Sequence, residues 1–267
     1  MRRGLAPGCR DLGRILVIPR IYLTGSVAIE YGEQLVRERQ FPGRQGRIAF
    51  VFLAANRHRP MHRDELLGAI WPGDAPAETD SGLDAILSKL RSVLKTVGFD
   101  AGITVNSGSI ALQLPAATWI DIEAAGNALD EAEGALRRND LLRAWSLANV
   151  AVVISRRAFL PDAEAPWIES QRTALRAMQM RALQCLVTVS AGNGEPLLAI
   201  QHATEMVRLE PFRETAYQLL MKRHAAAGDR AEALRVYARC REVLRDELGV
   251  DPSPQTEAVF LEILRAE

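Results

Sequence analysis

The chain has 267 residues, a length that suits two domains, and its 48% hydrophobic and 25% charged residues are typical of a soluble globular protein. No apolar run approaches the roughly 18 uncharged residues that a membrane span needs. The net charge is zero but unevenly distributed: residues 1–99 hold 15 Lys/Arg and 10 Asp/Glu, whereas residues 100–267 hold 18 Lys/Arg and 23 Asp/Glu. We therefore expect only residues 1–99 to contact a polyanion.

The first 17 residues are predicted to be a leader that is disordered or loosely attached, unless the start is misannotated. They begin with basic residues and have no apolar run before Cys9, so a signal peptide is not expected. The three cysteines are odd in number and far apart, which excludes a disulfide framework and fits a reducing cytoplasm. Cys185 and Cys240 fall within helical patterns and are predicted to be small core residues.

Residues 15–41 favour short strands, because they are rich in Ile, Val and Tyr and are interrupted at Pro19 and Gly25. A first helix follows, predicted to end at Asn56. Its buried face is formed by four residues: Ile48, Val51, Phe52 and Leu53. The stretch "MHRDELLGAIW" predicts a second helix before the turn "WPGDAPA". The apolar side of that helix is formed by Leu66, Leu67, Ile70 and Trp71.

A third helix is predicted in "ETDSGLDAILSKLRSVLKTVG". Its leucines step by four, three and four residues and give one apolar stripe: Leu83, Leu87, Leu90 and Leu94. Thr79, Asp80 or Ser81 could cap its start, and Gly98 suits its end. The next stretch, "GITVNSGSIALQL", predicts a hairpin joined by Asn-Ser-Gly. The junction "LQLPAATWID" (112–121) is a plausible domain boundary.

Beyond Trp119 the pattern is helical. Helices are predicted near 121–137, 140–156, 167–191, 195–209, 213–227, 230–248 and 254–265. A period of 34 residues, typical of tetratricopeptide helix pairs, relates Gly194 to Gly228 and Ala199 to Ala233. Two repeats are clear, 178–211 and 212–248, and the pair at 121–156 is a candidate divergent relative.

The end of the chain, "ELGVDPSPQTEAVF", predicts a sharp break between two helices. Gly249 suits a left-handed helix cap, Pro252 prevents continuation, and Ser253 can cap a new helix that begins at Pro254. The helix before the break is predicted to bury Leu234, Tyr237, Leu244 and Leu248. The last helix is predicted to bury Val259, Phe260, Ile263 and Leu264 and thereby to cover the open end of the repeats.

Three stretches together resemble a known family. Residues 212–264 and "FLPDAEAPWIESQR" (159–172) resemble the bacterial transcriptional activator domain of the antibiotic-regulatory-protein (SARP) family, and residues 58–94 are similar to a response-regulator-type winged-helix core. The resemblance implies a multidomain α+β and all-α fold: a winged helix-turn-helix at 18–115, then an α-helical tetratricopeptide-like activator domain at 119–267. It implies a cytoplasmic bacterial activator, located at the nucleoid, with promoter DNA and RNA polymerase holoenzyme as partners, acting as a homodimer on DNA and not at a membrane.

In a winged helix the third helix enters the major groove and the hairpin lies beside it. Residues Asp84, Ser88, Lys89 and Arg91 match groove-facing positions of the family. The same exposed face carries Ser81 and Lys95, and Ser107 lies at the hairpin tip. Arg44 and Arg47 lie near the start of the first helix, where a phosphate often docks, and Arg57, Arg59 and Arg63 flank the connection between helices one and two. Each of these residues could instead be an ordinary solvated charge.

Two departures from the family leave a second reading open. The wing commonly reads Gly-Tyr-Arg-Leu, whereas Ile110 and Ala111 stand here in place of Tyr and Arg, and Ser81 and Ser88 occupy contact positions where arginine is frequent. The protein could therefore be an interaction module with a degenerate winged helix and no sequence-specific DNA binding. Ligand sensing in the groove of the repeats is a third, weaker hypothesis.

No catalytic motif is present. The sequence has neither a G-x-x-x-x-G-K phosphate loop nor a G-x-S-x-G elbow. His58 and His62 have a spacing that zinc ligands can use, but Pro60 lies between them and no cysteine is near. We therefore predict a protein that is not an enzyme and that needs no cofactor or metal.

Overall fold

The computed structural model describes residues 18–73 and 79–266, with the side chains of residues 79 and 80 excepted. The predicted leader (1–17) and the predicted caps Thr79 and Asp80 thus lie outside the described residues. The chain divides into two compact units: an N-terminal unit up to Ile21 and over Ser26–Trp119, and a helical unit of Tyr22–Gly25 and Ile120 onward. Among the described helices, none combines the length and apolar character that a membrane crossing requires.

The predicted short strands are present at the start of the N-terminal unit. They are β1 (Arg20–Tyr22), β2 (Ala28–Tyr31) and β3 (Gln34–Arg37), followed by a 3₁₀ turn at Glu38–Gln40. Strands β2 and β3 form an antiparallel hairpin in which Tyr31 faces Gln34. Together with β7 (Trp119–Ile120) they form a sheet of order β3-β2-β1-β7.

Helix α1 (Gly43–Ala55) is the central element of the N-terminal unit. Every residue from Ile48 to Ala54 is buried, and the ring of Phe50 lies 4.9 Å from that of Phe41. A helix that is apolar all round has to lie inside a core. Asn56 terminates it as predicted, with its side-chain amide donating to the Phe52 carbonyl at 2.9 Å.

The second predicted helix was placed two residues too early. Helix α2 spans Arg63–Ile70, whereas Met61–His62 form strand β4. Met61 lies opposite Ile110 and His62 opposite Ser109 in the later hairpin. Pairing with a strand far along the chain overrides the helical pattern at this point. Trp71 is also outside the helix, as its half-buried C-cap residue.

Helix α3 (Thr79–Lys95) and the hairpin after it follow the sequence predictions. The leucine stripe is at most 1% exposed at each of its four positions. Strands β5 (Gly102–Asn106) and β6 (Ser109–Gln113) pair antiparallel, and β4 extends the sheet in the order β4-β6-β5. Ser107 and Gly108 form a two-residue turn with φ of 48° and 80°, the positive values of a type I′ turn, whose twist matches that of the strands.

The helical unit contains seven helices, each within one residue of its predicted bounds at either end. They are α4 (Asp121–Arg137), α5 (Leu141–Ser155), α6 (Pro166–Gly192), α7 (Pro196–Leu209), α8 (Glu214–Ala226), α9 (Arg230–Leu248) and α10 (Pro254–Arg265). Fully buried alanines let the paired helices approach closely, as predicted for Ala199 and Ala233. Cys185 and Cys240 are buried in the same core, and burial raises the pKa of each thiol to about 11.

Three helix pairs share one turn geometry. The turns of α4–α5, α6–α7 and α8–α9 each have a residue with positive φ: Asn139, Gly194 and Gly228. In each turn the next residue donates its N–H to the carbonyl five residues earlier, at 2.8–3.0 Å, which is the Schellman cap. The 34-residue relation between Gly194 and Gly228 therefore corresponds to a repeated turn. The α4–α5 pair, a candidate relative on sequence grounds, has the same turn.

A buried carboxylate fixes the N-terminal segment of the helical unit. Asp121, at the start of α4, is fully buried. Its two oxygens accept hydrogen bonds from the N–H groups of Leu23 (3.0 Å) and Thr24 (2.9 Å) and from the Thr24 hydroxyl (2.7 Å). The N-terminal end of a helix also favours a negative charge. Tyr22–Gly25 are therefore held against α4 by one side chain.

The last helix is fastened to α8 through its cap. Gly249 takes the predicted left-handed conformation (φ 69°) at the end of α9, and the Ser253 side chain accepts from the Thr256 N–H as the predicted N-cap. The Glu214 carboxylate accepts from the Ser253 N–H at 2.8 Å, from the Ser253 hydroxyl at 2.7 Å and from the Thr256 hydroxyl. These bonds orient the first turn of α10 over α8.

Helix α10 covers the end of the last pair, but two residues predicted to be buried there are exposed. Val259 and Ile263 are buried, and Phe260 stacks on Tyr237 with ring centroids 4.1 Å apart. Leu264 is 43% exposed and Leu248 53%, so the predictions for both were wrong.

Candidate nucleic-acid interface

Helix α3 presents a polar face opposite its leucine stripe. Ser81, Asp84, Ser88, Lys89 and Lys95 are all exposed, as the helical period predicted. No ion pair engages Lys89 or Lys95 within residues 18–73 and 79–266. Two exposed ammonium groups suit contact with the phosphates that line a DNA groove.

Arg63 joins three elements of the N-terminal unit. Its Nη1 donates to Asp84 Oδ1 of α3 at 2.8 Å, and its backbone N–H donates to the Gly108 carbonyl at the hairpin tip at 3.0 Å. The Asp84 side chain is 68% exposed, so this ion pair lies at the surface. A phosphate that approaches α3 can therefore compete with Asp84 for the Arg63 guanidinium.

Arg91 points from α3 towards the hairpin rather than along the exposed face. Its Nε donates to the Ile103 carbonyl of β5 at 3.0 Å, and the residue is half-buried. The guanidinium therefore secures the packing of α3 against β5. The structure thus leaves Lys89 and Lys95 exposed on α3 and gives Arg91 a structural partner.

The hairpin tip carries little charge. Ser107 is exposed at the turn, whereas Ile110 is fully buried against β4 and contributes nothing to the surface. The position where the family commonly has tyrosine thus belongs to the core here. The tip offers hydroxyl and backbone groups rather than a cation.

The arginines in the first turns of α1 and in the segment after it differ in the partners that they contact. Arg44 is exposed beside the helix start, whereas the Arg47 side chain is only 12% exposed and pairs with Glu38. Arg57 donates to the Thr118 carbonyl at 3.1 Å, and Arg59 pairs with Glu65, whose pKa it lowers through that hydrogen bond. Of these four arginines, Arg44 is the one that has no internal hydrogen-bond acceptor among residues 18–73 and 79–266.

Sequence reasoning missed these internal partners, because it placed the arginines by helix position alone. It also missed a set of polar residues that line cavities in the helical unit, among them Arg181 and Gln184. Their spacing within the first helix of the 34-residue repeat is the signal that could have identified them. Among the described residues, no group of His, Cys, Asp or Glu is arranged to hold a metal ion.

Comparison with known proteins places the helical unit in one family. The description "Bacterial transcriptional activator domain" matches residues 120–264, more than half of the chain. The regulatory protein AfsR of Streptomyces coelicolor is 30% identical over 84% of this chain, which corresponds to 22% of AfsR. The transcriptional regulator RedD of the same organism is 26% identical over 82% of this chain and 63% of RedD. The chain therefore spans about a fifth of AfsR.

A solved structure extends the likeness to almost the whole fold. The structure of Mycobacterium tuberculosis EmbR, in complex with a low-affinity phosphopeptide, superposes with a TM-score of 0.83 over 93% of this chain and 65% of EmbR, at 22% identity. These relatives are named as regulatory proteins or transcriptional regulators, a class that is not enzymatic. This chain belongs to the SARP-type transcriptional regulators that carry a bacterial transcriptional activator domain.

Proposed function

We propose that this protein is a transcriptional activator that binds promoter DNA through a winged helix-turn-helix formed by α1–α3 and the β5–β6 hairpin. The observation that carries the proposal is the exposed face of α3, where Lys89 and Lys95 stand opposite a fully buried leucine stripe. Three helices followed by a hairpin give α3 the position of a recognition helix, which enters the major groove with its polar face.

The proposed activation step uses the helical domain that follows the winged helix. Residues 18–115 would bind DNA, and residues 119–267, a tetratricopeptide-like array of helix pairs, would recruit RNA polymerase holoenzyme. Support comes from the match of residues 120–264 to an activator domain and from relatives that are named transcriptional regulators. Helical arrays of this kind expose extended surfaces that suit protein partners. Such a protein would act in the cytoplasm, at the nucleoid.

A homodimer on the DNA is part of the proposal. Helix α5 exposes an apolar stripe in which Leu142 is 76%, Trp145 44% and Val153 40% exposed. Large apolar side chains on one helix face are typical of interfaces, and a second copy would bury them symmetrically. Trp145→Glu should reduce two bound copies per DNA to one in light scattering of the protein–DNA complex. An unchanged stoichiometry would exclude this stripe as the dimer contact.

The DNA-binding test uses the region upstream of the protein's own gene. Fluorescence anisotropy across a range of salt concentrations should show tighter binding than to random DNA of equal length. Lys89→Ala with Lys95→Ala should weaken binding and reduce the slope of log K against log salt by about 2, since each lost phosphate contact contributes about 1. Arg208→Ala with Arg239→Ala, two exposed arginines of the helical unit, is the matched control. Footprinting with and without RNA polymerase then tests recruitment.

A second candidate function is an interaction module that does not read DNA sequence. The specific observation in its favour is that Arg47, Arg63 and Arg91 already have internal partners, while the hairpin tip lacks a cation. Equal affinity for random and upstream DNA, with no effect of the two lysine substitutions, would support this candidate. Occupancy of discrete promoters across the genome would contradict it.

A further inference from the structure

The helical unit contains three cavities that adjoin one another through shared residues. A cavity of about 300 Å³ between α4 and α6 and one of about 200 Å³ between α6 and α8 share Arg181 and Gln184. The second cavity shares Lys222 with a third, of about 620 Å³, beside the end of α10. The shared residues place the three cavities next to one another, and we call them together the groove.

The groove follows one face of each helix that borders it. On α6 the exposed residues Arg181, Gln184 and Thr188 are separated by three and four positions, so they lie in one row. On α8 the residues Thr215, Gln218 and Lys222 form a second row. Packed helices lie about 10 Å apart, so the path from α4 to α8 is about 20 Å long. An extended chain covers that length with about six residues.

The groove is positively charged, although residues 100–267 as a whole carry more acidic than basic residues. Arg181 is neutralised by a bidentate pair with Glu133, both bonds being 2.9 Å. The lining has five other cations and one other carboxylate, Glu262. Of these cations, Arg137, Arg213 and Lys222 make no ion pair within the described ranges 18–73 and 79–266. A cationic depression on an otherwise acidic unit concentrates an acidic ligand.

The rest of the lining suits a polypeptide better than a nucleic acid. Met180 and Met206, both buried, and the half-buried Leu219 form the apolar base of the lining. The Gln184 amide can donate to or accept from a main chain, whereas the Gln218 Nε2 already donates to Thr256 Oγ1 at 2.8 Å, so Gln218 offers its carbonyl oxygen. The described lining of the three cavities contains no aromatic ring on which a base could stack, and it includes the carboxylate of Glu133. Near the end of α8, Arg223 Nε is buried without a hydrogen-bond partner in the described part of the chain.

We propose that the groove binds an extended acidic segment of a partner protein. Acidic side chains of the segment would pair with Arg137, Arg213 and Lys222. Its main chain would bond to the Gln184 amide and the Gln218 carbonyl oxygen, and an apolar side chain would cover Leu219. Such an acidic strand in a helical groove is held chiefly by charge and main-chain contacts. The proposal goes beyond promoter binding and does not depend on it.

The test measures peptide binding to the full chain by fluorescence anisotropy at low salt. The probe is a labelled peptide of about 12 residues, long enough to cross the groove, in which Asp and Glu alternate with Leu and Ser. The comparison peptide has Asn and Gln in place of the acids. We expect saturable binding of the acidic peptide, loss of at least about tenfold in affinity with Arg213→Glu plus Lys222→Glu, and suppression by salt.

The matched control is Arg208→Glu plus Arg239→Glu, which makes the same charge change at two exposed arginines outside the groove lining. This control should stay within about twofold of the unmodified protein, because exposed charges away from the ligand are screened. Circular dichroism would establish that both double variants are folded. Lys89→Ala with Lys95→Ala should leave peptide binding unchanged, which separates this proposal from the DNA-binding one.

Several results would overturn the proposal. They are absence of saturable binding, equal binding of the neutral peptide, or equal losses from the groove and control variants. DNA binding that Arg213→Glu plus Lys222→Glu abolishes, in the absence of peptide binding, would instead identify the groove as a nucleic-acid surface.

Discussion

Both units have ion pairs at the surface, and the helical unit also has a fully buried carboxylate, Asp121. In the N-terminal unit, Arg63–Asp84 and Arg59–Glu65 are ion pairs at the surface. In the helical unit, the carboxylates of Asp121 and Glu214 are wholly or partly buried and accept hydrogen bonds from backbone and hydroxyl groups. Exposed pairs contribute at most about 1 kcal/mol, so a ligand can replace one partner, whereas buried acceptors stabilise the fold itself.

The largest effect is expected at Asp121. Asp121→Ala would leave the N–H groups of Leu23 and Thr24 and the Thr24 hydroxyl buried without an acceptor. The free energy of unfolding should fall by about 3 kcal/mol or more, since a buried charged acceptor is lost. Chemical denaturation followed by circular dichroism measures this change.

The matched control for Asp121 lies on the same helix. Asp130 is 76% exposed, and Asp130→Ala should change the free energy of unfolding by no more than about 0.5 kcal/mol. Equal effects of the two substitutions would contradict the distinction between buried and exposed carboxylates.

A smaller effect is expected at Glu214. Burial alone would raise the pKa of this carboxyl group, but hydrogen bonds from Thr256 and Ser253 outweigh it and hold the pKa below its ordinary value of 4.5. The ionised group therefore stabilises the fold above that value, and this contribution is lost as pH falls through the lowered pKa. Glu214→Gln should cost about 1–2 kcal/mol at pH 7, and less in acid.

The pH dependence provides the check on Glu214. Denaturation of the unmodified protein and of Glu214→Gln should give free energies of unfolding that converge as pH falls through the lowered pKa of Glu214, because the native carboxyl group then becomes protonated. Glu247→Gln, at an exposed position of α9, should follow the unmodified protein at every pH. If the difference in free energy of unfolding between the unmodified protein and Glu214→Gln persisted unchanged in acid, the charge of Glu214 would not be what stabilises α10.

The ion pair between Arg63 and Asp84 should affect DNA affinity more than stability. Asp84→Ala removes a negative charge from the α3 face and frees the Arg63 guanidinium, so affinity for upstream DNA should rise by about two- to fivefold. Arg63→Ala should lower it. Neither substitution should change the free energy of unfolding by more than about 1 kcal/mol, because the pair is exposed. Weaker DNA binding by Asp84→Ala would point instead to direct base contact by the carboxylate.

The smallest effect is expected at the hairpin tip. Ser107 has a φ of 48°, which glycine adopts without the steric penalty of a side chain. Ser107→Gly should raise the thermal midpoint slightly, by an amount equivalent to about 0.5 kcal/mol, and should leave the salt slope of DNA binding unchanged. A fall in DNA affinity without loss of stability would assign the Ser107 hydroxyl to the interface.

Local patterns predicted most of the helices, because their signals are contained in the sequence around each one. The leucine stripe of α3 and the cap at Ser253 need no distant partner. Strand β4 was missed because Met61 and His62 form a strand only through Ile110 and Ser109. Its two residues otherwise look like the first turn of α2.

The roles of single charged residues were harder to predict from the sequence than the helices were. A helical wheel places Arg91 near the exposed face, but its long side chain reaches the Ile103 carbonyl of the following strand. Asp121 gave no signal at all, because its partners lie 97 and 98 positions earlier in the chain. Side-chain reach and long-range acceptors are properties of the folded chain rather than of a local window.

The Asp121 contact also sets an order of events in folding. The three helix pairs with repeated turns rely on neighbours in the chain, so their contact order is low and they should form fast. The bonds from Leu23 and Thr24 to Asp121 close a loop of almost a hundred residues, which costs more chain entropy than any turn between paired helices. We therefore expect residues 22–25 to dock late, with their amide protons gaining protection from exchange after those of α4–α9.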